Sequence, residues 1–500
     1  MFRQNSTHLK VEFNLDRKSL ISLDRQIART MREAVQKGLL QPGDRIVPIR
    51  QLAKYLGVAR ATVDSAIAIL VAEGFVETSR GRGSFISTKL PLQTRFENVD
   101  DSRPACAPKP KTLGRYAAHC ARALDDYGVQ KSLPLAIACT SREASPGRDF
   151  TELLVKNAQH NALKLTYSDP QGLLQLREAV CGLAQRQRAV KADPDQVIIT
   201  TGSQLGLLMS IKVLFSPGDK IWIEDPQYPL LRAAAATQDV HPVYVPVDAE
   251  GFNLKTALAM ESEARGVFLT PSHQSPLGMM MSIQRRRDIL QWAADNGAWI
   301  VEDDYDSELR YGGNLAYPSL QGMDNGGNVV YVGTFSKSLF PGLRLGYMVV
   351  PRELVKPLTG MRFLIDRQCN ELLQMTVSDY IRQGYYETHL LKMRRIFESR
   401  RDYLISSVEN NFGEWGRFIN TGQGMHMTFL FHNQEIDDEA VAAQCRSQGM
   451  ELLSLSSFYT GPARYKGLVM GFGHFPPAQL LAAVSRIGFV LRDKFAAFQP

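Results

Sequence analysis

A lysine with phosphate-binding neighbours follows one short apolar run of the chain. Residues 329–332 are apolar and of strand length, and Lys337 comes shortly after them. Two hydroxyls and a guanidinium flank the lysine: Thr334, Ser336 and Arg344. A Schiff-base lysine needs a desolvated amine of lowered pKa, and a phosphate dianion needs a bidentate guanidinium with hydroxyl donors. The spacing therefore predicts a Schiff-base lysine beside a phosphate site.

Two other strand ends carry polar residues. In TTGSQ at 200 a strand changes to a helix through glycine, so backbone N–H groups and the Ser203 hydroxyl would point at an anion. In VEDDYD at 301 a strand ends in acids. There one carboxylate, Asp303 or Asp304, would pair with a protonated pyridine nitrogen, and a tyrosine hydroxyl would meet a phenolic oxygen. An exposed acidic loop or a metal site is the alternative interpretation.

The elements around these residues predict an α/β fold with a mainly parallel sheet. A chain of 500 residues exceeds one ordinary core, so two or more domains are expected. Apolar runs of strand length alternate with helical patterns such as 204–214 and 283–295. The predicted strands are 197–200, 220–224, 266–270, 298–302 and 329–332. In such a sheet, ligands gather at the carboxyl ends of the strands.

The first ninety residues predict a winged helix-turn-helix. Apolar residues recur every three or four positions over 23–37, and shorter helices are predicted around Leu52 to Leu56 and over 60–72, separated by Gly57. Val63, Ile67, Leu70 and Val71 are expected to be buried. A hairpin with a basic, glycine-rich tip follows at 75–86.

The net charge of the chain lies in this N-terminal part. Residues 1–92 contain 15 Lys and Arg against 8 Asp and Glu, which leaves 43 of each sign in the remainder. A basic end on a neutral body is typical of a nucleic-acid reader, although a solvated charged face gives the same count.

Other features of the composition exclude some classes of protein. No stretch approaches ~18 uncharged apolar residues, and the first residues lack the apolar core of a signal peptide. A cytoplasmic protein without membrane contact is therefore expected. The six cysteines are scattered without a CxxC pair, which predicts reduced thiols, no disulfide framework and no metal site.

Residues 20–88 resemble the GntR-type winged helix in the pieces LLQPGDRI, RQLAKYLGVARATV and EGFVETSRGRGSFI. The resemblance implies that the third helix enters the major groove of promoter DNA and that the wing follows the backbone. The implied DNA contacts are Arg50, Arg60, Thr62, Arg80, Gly81 and Gly83. The family usually has a capping serine before the second helix, and Pro48-Ile49-Arg50 lacks it, which leaves the start of that helix open.

Residues 131–500 resemble the fold type I pyridoxal-phosphate (PLP) dependent aminotransferases, and the whole chain resembles the MocR/GabR-like transcription regulators, with 89–130 as a linker. The matching pieces are YSDPQGLLQLREAV at 167, TTGSQLGL at 200, EDPQYP at 224, TPSHQSPLG at 270, VEDDYDSELRY at 301 and GTFSKSLFPGLRLGY at 333.

The resemblance implies a role for each matching residue. Lys337 forms the internal aldimine, Asp303 pairs with the pyridine nitrogen in preference to Asp304, Tyr305 meets the ring hydroxyl and Tyr228 stacks on the ring. The phosphate is held by Ser203, Gln204, Thr334, Ser336 and Arg344. Tyr167 reaches the phosphate of a partner subunit, which implies a homodimer.

Departures from the family favour a sensor of PLP, an amine or an amino acid over an enzyme. Ser275 replaces the usual asparagine, and Val469 and Leu230 stand where relatives carry arginines for the substrate carboxylate. The alternatives are a ligand without an α-carboxylate, such as PLP itself or a sulfonate amine, or a carboxylate held by Arg464 or Lys466. The expected function is a PLP-dependent, DNA-binding transcription regulator, and the alternative is an aminotransferase with an accessory DNA-binding domain.

Overall fold

The computed structural model describes residues 11–79, 82–90, 111–128, 132–159, 166–313 and 317–498. The chain divides into two compact units, Met1–Thr112 and Leu113–Pro500. Within the described ranges no helix on its own has the length and apolarity needed to cross a membrane. The helices Ile49–Leu56 and Arg60–Ala72 reach that length and composition only as a pair, and the pair is bent by 117°.

The small unit is a three-helix fold with a two-stranded wing. Its elements are α1 Leu23–Gln36, α2 Ile49–Leu56, α3 Arg60–Ala72, β1 Val76–Ser79 and β2 Gly83–Ile86. The strands pair antiparallel from Val76 opposite Ile86 to Ser79 opposite Gly83. Ile27 of α1, Val63 of α3 and the last residue of β2 meet in one apolar core. These elements confirm the predicted winged helix-turn-helix fold.

Two details of the small unit bear on the sequence analysis. Helix α2 begins at Ile49 after Pro48 without a side-chain cap, and Gly57 ends it in the left-handed conformation. Val71 is 38% exposed, so the expectation that it is buried is wrong. The buried face of α3 follows Val63, Ile67 and Leu70 at steps of three and four, and the residue directly after Leu70 is rotated away from that face.

The large unit begins with helices and continues as alternating strands and helices. Its first elements are α4 Ala117–Tyr127, α5 Gly147–Gln159, α6 Leu174–Arg188, β3 Val197–Thr200, α7 Ser203–Leu214, β4 Lys220–Asp225, α8 Pro229–Ala236 and β5 His241–Pro246. The central elements are α9 Leu254–Met260, β6 Gly266–Leu269, α10 Ile283–Asn296, β7 Trp299–Asp304, α11 Leu320–Met323, β8 Val329–Thr334 and β9 Gly346–Val349.

Seven of these strands form one sheet in the order β3-β9-β8-β7-β6-β4-β5. The neighbours from β8 to β5 run parallel, whereas β9 is antiparallel to both β3 and β8. Every residue of strands β6 and β8 is buried, as is typical of a parallel sheet that is covered on both of its faces. This mainly parallel sheet confirms the predicted α/β fold, and it brings the carboxyl ends of β4, β6, β7 and β8 to one edge.

The rest of the large unit packs around a second, antiparallel sheet of order β10-β11-β13-β12. Its elements are α12 Arg352–Asp366, α13 Glu371–Arg382, α14 Tyr385–Phe412, β10 Gly416–Ile419, β11 His426–Phe431, α15 Asp438–Ser447, β12 Leu453–Ser454, β13 Gly467–Gly471 and α16 Pro477–Lys494. A buried cluster that includes Leu390, Phe429 and Leu480 joins this sheet to its helices. Residues of this sheet also form part of the wall of the cavity described next.

Candidate functional site

A cavity of about 1010 Å³ lies at the carboxyl ends of the parallel strands. It brings together nine of the ten residues that the sequence analysis assigned to the cofactor. These nine are Ser203, Gln204, Tyr228, Asp303, Tyr305, Thr334, Ser336, Lys337 and Arg344. The tenth, Tyr167, is 71% exposed and stacks with Arg367, whose guanidinium carbon lies 3.8 Å from the centre of the tyrosine ring.

Lys337 follows β8 into the cavity. Burial lowers the pKa of its amine below the usual range, while the nearby carboxylates of Asp306 and Asp303 act in the opposite direction. Thr334 and Ser336 lie just before the lysine, and the Thr334 hydroxyl donates a hydrogen bond of 3.0 Å to the Ser336 hydroxyl. The strand end therefore presents a desolvated amine and two hydroxyls to the same space.

Asp303 and Asp304 take different environments at the end of β7. Asp304 accepts hydrogen bonds from Arg188 at 2.6 Å and from the Tyr331 hydroxyl at 2.7 Å. Asp303 lines the cavity, and its Oδ1 atom is buried without a hydrogen-bond partner among the described residues. Burial and the neighbouring Asp304 raise the pKa of Asp303 to about 7. Oδ1 of Asp304 is also without a partner among the described residues, but Asp304 does not line the cavity, so Asp303 is the carboxylate of this pair that a ligand can reach.

The start of α7 and Arg344 form the anion-binding end of the cavity. Gly202 precedes α7 with φ +99°, and a Cβ atom there would lie 3.1 Å from Nη2 of Arg344. Glycine at this position therefore lets the guanidinium approach the N-terminus of α7, where Arg344 donates a 2.7 Å hydrogen bond to the Thr201 carbonyl. The first N–H groups of the helix and the guanidinium favour an anion here.

Two side chains from α7 and α8 extend this wall of the cavity. Tyr228 caps α8 and lines the cavity, and burial next to Asp303 raises the pKa of its hydroxyl. Gln204 donates a hydrogen bond of 3.2 Å to the Leu230 carbonyl, while its Oε1 atom is buried without a partner in the described part of the chain. An aromatic face and an unused acceptor are therefore available to a ligand.

A buried hydrogen-bonded group next to Tyr305 was not expected from the sequence. His273 Nδ1 lies 2.8 Å from Asp306 Oδ1 and 3.1 Å from the Tyr305 hydroxyl. His426 packs against His273 with ring centres 5.3 Å apart, and burial lowers the pKa of His426 to about 4. Both His273 and Asp306 stand in motifs already singled out, TPSHQSPLG and VEDDYDSELRY, but sequence does not show that they meet.

The positions where a substrate carboxylate is usually bound carry apolar residues in this cavity. Val469 of β13 is fully buried and lines it, as does Leu230 of α8. Neither Arg464 nor Lys466 is among the described lining residues, whereas Arg232 of α8 is. The lining therefore gives no support to the two substitutes considered from sequence, and it contains an arginine, Arg232, that sequence did not indicate.

The small unit places the described DNA-contact candidates on its surface. Arg60 is the first residue of α3 and Arg50 lies in the first turn of α2, and both are exposed. Thr62 is partly buried, and Gly83 begins β2 with φ +102°. The predicted contacts Arg80 and Gly81 lie outside the described residues. The angle of 117° between α2 and α3 is typical of a helix-turn-helix.

Two family models match the chain in the same order as its two units. Residues 23–86 match the bacterial regulatory proteins of the gntR family, and residues 146–468 match the class I and II aminotransferases. The probable rhizopine catabolism regulatory protein MocR of Rhizobium meliloti is 30% identical over 97% of this chain and 96% of its own length. The chain belongs to the MocR-like transcription regulators.

Other regulators show the same whole-length similarity to this MocR-like chain. The transcriptional regulator TauR of Rhodobacter capsulatus is 30% identical over 94% of this chain and 97% of its own. The pyridoxine biosynthesis regulator PdxR of Corynebacterium glutamicum is 28% identical over 90% and 92%. In such a chain the DNA-binding and aminotransferase-like domains occur together.

Solved enzymes match the large unit of the MocR-like chain. The kynurenine aminotransferase of Pyrococcus horikoshii superposes with a TM-score of 0.68 at 23% identity, over 80% of this chain and 99% of the enzyme. The α-aminoadipate aminotransferase LysN of Thermus thermophilus superposes with a TM-score of 0.69 at 23% identity, over 77% and 98%. These similarities show the aminotransferase fold, which is a fold of PLP-dependent proteins.

Proposed function

We propose that the large unit binds PLP and senses an amine or amino acid with it, while the winged helix binds promoter DNA. The observation that carries the proposal is the Oδ1 atom of Asp303, which is buried in the cavity of Lys337 and has no hydrogen-bond partner among the described residues. An unsatisfied buried acceptor costs about 1–3 kcal/mol. A protonated pyridine nitrogen would supply the missing donor and keep the carboxylate ionised, so these residues fit the cofactor.

PLP, when bound, supplies an aldehyde that condenses with amines and a ring that withdraws electrons. Lys337 offers its amine at the floor of the cavity, where burial keeps a larger share of it neutral and nucleophilic. Asp303 holds the proton at the pyridine nitrogen. Tyr305, whose hydroxyl lies 3.1 Å from His273 Nδ1, would contact the phenolic oxygen, and Tyr228 would pack on the face of the pyridine.

The phosphate is assigned to the anion-binding end of the cavity. The proposed contacts are Ser203, Gln204, Thr334, Ser336 and Arg344. Tyr167 is exposed on its own protomer and is assigned to the phosphate of a partner subunit, so the proposed functional state is a homodimer. A dimer suits a regulator because two winged helices read two half-sites of DNA.

Regulation requires that a ligand favour one arrangement of the dimer over another. A ligand shifts such an equilibrium by its difference in affinity for the two states, and no completed reaction is needed. The relatives named as regulators of catabolism and of pyridoxine biosynthesis support this role. The proposed DNA contacts are Arg50, Arg60, Thr62, Arg80, Gly81 and Gly83. A protein that binds promoter DNA acts in the bacterial cytoplasm.

The test is a visible absorption spectrum of the purified homodimer with PLP. The wild-type protein should show the band of lysine-bound PLP, and Lys337→Ala should lose it because no other lysine is among the described residues that line the cavity. Lys356→Ala, which removes an exposed lysine of α12, is the matched control and should keep the band. Borohydride reduction followed by peptide mass spectrometry should locate the cofactor on Lys337. A full-intensity band in Lys337→Ala would refute the assignment.

A further inference from the structure

Arg232 projects from the same side of α8 as the residue assigned to the face of the pyridine. Tyr228 caps α8 and Arg232 follows four positions later, so the two lie on one side of the helix about 6 Å apart along its axis. Both side chains line the cavity. A ligand that reacts beside Tyr228 and extends one helical turn along α8 therefore reaches the guanidinium of Arg232.

The hydrogen bonds of Arg232 go to neutral oxygens. Nη1 donates to the Tyr459 carbonyl at 2.8 Å, and Nη2 donates to the Tyr127 hydroxyl at 3.3 Å. In the described part of the chain this guanidinium forms no ion pair, and the nearby Asp225 instead accepts a hydrogen bond from the Thr460 N–H. By contrast, the buried Arg188 is paired with Asp304 at 2.6 Å. Arg232 is thus a half-buried cation that forms no ion pair with the described residues, although the carboxylate of Asp225 is near enough to interact with it electrostatically.

Tyr127, the weaker partner of Arg232, belongs to a helix that is held by polar contacts. Helix α4 has no buried residue, and the other end of the helix is attached by Arg115 and Tyr116, which both bind Asp239. Asp126 and Tyr127 line the same cavity as Arg232. A short helix without a buried face opens at low free energy. In the sequence, α4 follows the segment between the two units.

We propose that Arg232 binds an acidic group on the amine effector and releases Tyr127 when it does so, which loosens α4. The inference rests on the proposed function, because the amine of the same ligand has to react in the cavity. Charge-assisted hydrogen bonds are roughly twice as strong as neutral ones, so a carboxylate or sulfonate that approaches Nη2 takes the N–H group that the Tyr127 hydroxyl accepts. Binding of the effector then weakens the attachment of α4, and the attachment of α4 weakens the affinity for the effector by the same factor.

The first experiment measures effector affinity from the change in the visible spectrum of the PLP-loaded homodimer. The probes are β-alanine, taurine and propylamine, which carry a carboxylate, a sulfonate and no acid. Wild type should bind the two acidic amines more tightly than propylamine. Arg232→Gln should weaken β-alanine and taurine about 10- to 100-fold and leave propylamine unchanged. Whichever acidic amine binds more tightly identifies the preferred anion.

The matched control is Arg446→Gln, which removes an exposed arginine of α15 at the rim of the cavity. It should keep the preference for acidic amines. The inference is overturned if wild type binds propylamine as tightly as β-alanine, if the preference survives in Arg232→Gln, or if Arg446→Gln abolishes it. A protein that shows the PLP band but no response to any of the three amines contradicts amine sensing, and this inference with it. Loss of the visible PLP band would show a failure of PLP binding and not of effector binding.

The second experiment follows α4 through Cys120, an exposed cysteine of that helix. A fluorophore on Cys120, in a Cys106→Ser, Cys139→Ser and Cys181→Ser background that leaves only buried cysteines besides it, reports the mobility of α4 by anisotropy. β-Alanine should lower the anisotropy in wild type and leave it unchanged in Arg232→Gln. Tyr127→Phe should lower it without ligand and bind β-alanine about 2- to 10-fold more tightly. An equal response to propylamine, or unchanged affinity in Tyr127→Phe, would contradict the competition.

Discussion

Arg188 holds Asp304 on one side of β7 and leaves its neighbour Asp303 to the cavity. The guanidinium donates to Asp304 at 2.6 Å, and both side chains are almost fully buried, at 4% and 1% exposure. Successive side chains of a strand point to opposite faces. The Arg188–Asp304 pair therefore sets which of the two carboxylates can meet a ligand.

We expect Asp304→Asn and Asp303→Asn to affect stability differently. Asp304→Asn leaves the buried Arg188 without its counter-charge and should lower the free energy of unfolding by about 3–5 kcal/mol. Asp303→Asn removes a carboxylate whose Oδ1 has no hydrogen-bond partner among the described residues, and it should lower the free energy of unfolding little or not at all in the cofactor-free protein. Urea unfolding of the two variants measures both effects. Equal destabilisation of the two variants would show that the Arg188–Asp304 pair does not decide which carboxylate meets a ligand.

The raised pKa of Asp303 predicts a pH dependence of the cofactor-free protein. Because its pKa is about 7 in the fold against an ordinary value of 3.8, the folded protein binds the proton more tightly than the unfolded chain. Protonation of Asp303 therefore stabilises the folded protein in full below about pH 4. This contribution to the free energy of unfolding, about 4 kcal/mol at most, is lost as the pH rises to about 7.

Unfolding of wild type and Asp303→Asn from pH 4 to 8 isolates this contribution. Glu224 and Glu308 also have pKa values raised to about 7, and His426 has one lowered to about 4, but these groups are common to both proteins. The stability of wild type relative to the variant should fall with rising pH. A constant or rising difference would mean that Asp303 is ionised in the cofactor-free protein.

Arg60 is expected to contribute to DNA binding without affecting the cofactor. It is exposed at the N-terminus of α3, the end of a recognition helix that meets base edges. Arg60→Ala should weaken binding to the operator by about 1–3 kcal/mol if it contacts a base, or reduce the salt slope by about one if it contacts a phosphate. Fluorescence anisotropy with operator DNA at several salt concentrations separates the two cases. Lys356→Ala is the control, and unchanged affinity of Arg60→Ala would refute the placement.

The cavity should support ligand binding with little transamination. Efficient transfer needs the α-proton of the amine held against the lysine, and a displacement of ~1 Å can cost ~10²-fold in rate. The apolar side chains of Val469 and Leu230 provide no cation that would hold the substrate carboxylate. Arg232 lies one helical turn from Tyr228 along α8. Steady-state assays with amino donors and keto acids should show little turnover. Rates on the order of 1 per second or faster would favour the alternative, an aminotransferase with a DNA-binding domain.

The sequence by itself determined the two kinds of domain, the strand ends that carry chemistry and nine residues that share the cavity. It did so because hydrophobic periodicity and strand-end motifs are local, and parallel strands bring their carboxyl ends to one edge whatever their order. Lys337, Ser203 and Arg344 were found in this way, whereas Asp303, Tyr228 and Gln204 were assigned from the resemblance to the aminotransferases. Their roles toward PLP remain predictions.

Only the tertiary structure decided the contacts that depend on distant segments. Asp303 and Asp304 are equivalent in a string of letters, and they differ because Arg188, from another helix, binds one of them. Arg464 and Lys466 lie near Val469 in sequence but do not line the cavity, whereas Arg232, more than two hundred residues away, does. Sequence fixes which side chains are adjacent along the chain, whereas packing of helices on the sheet decides which charges meet across it.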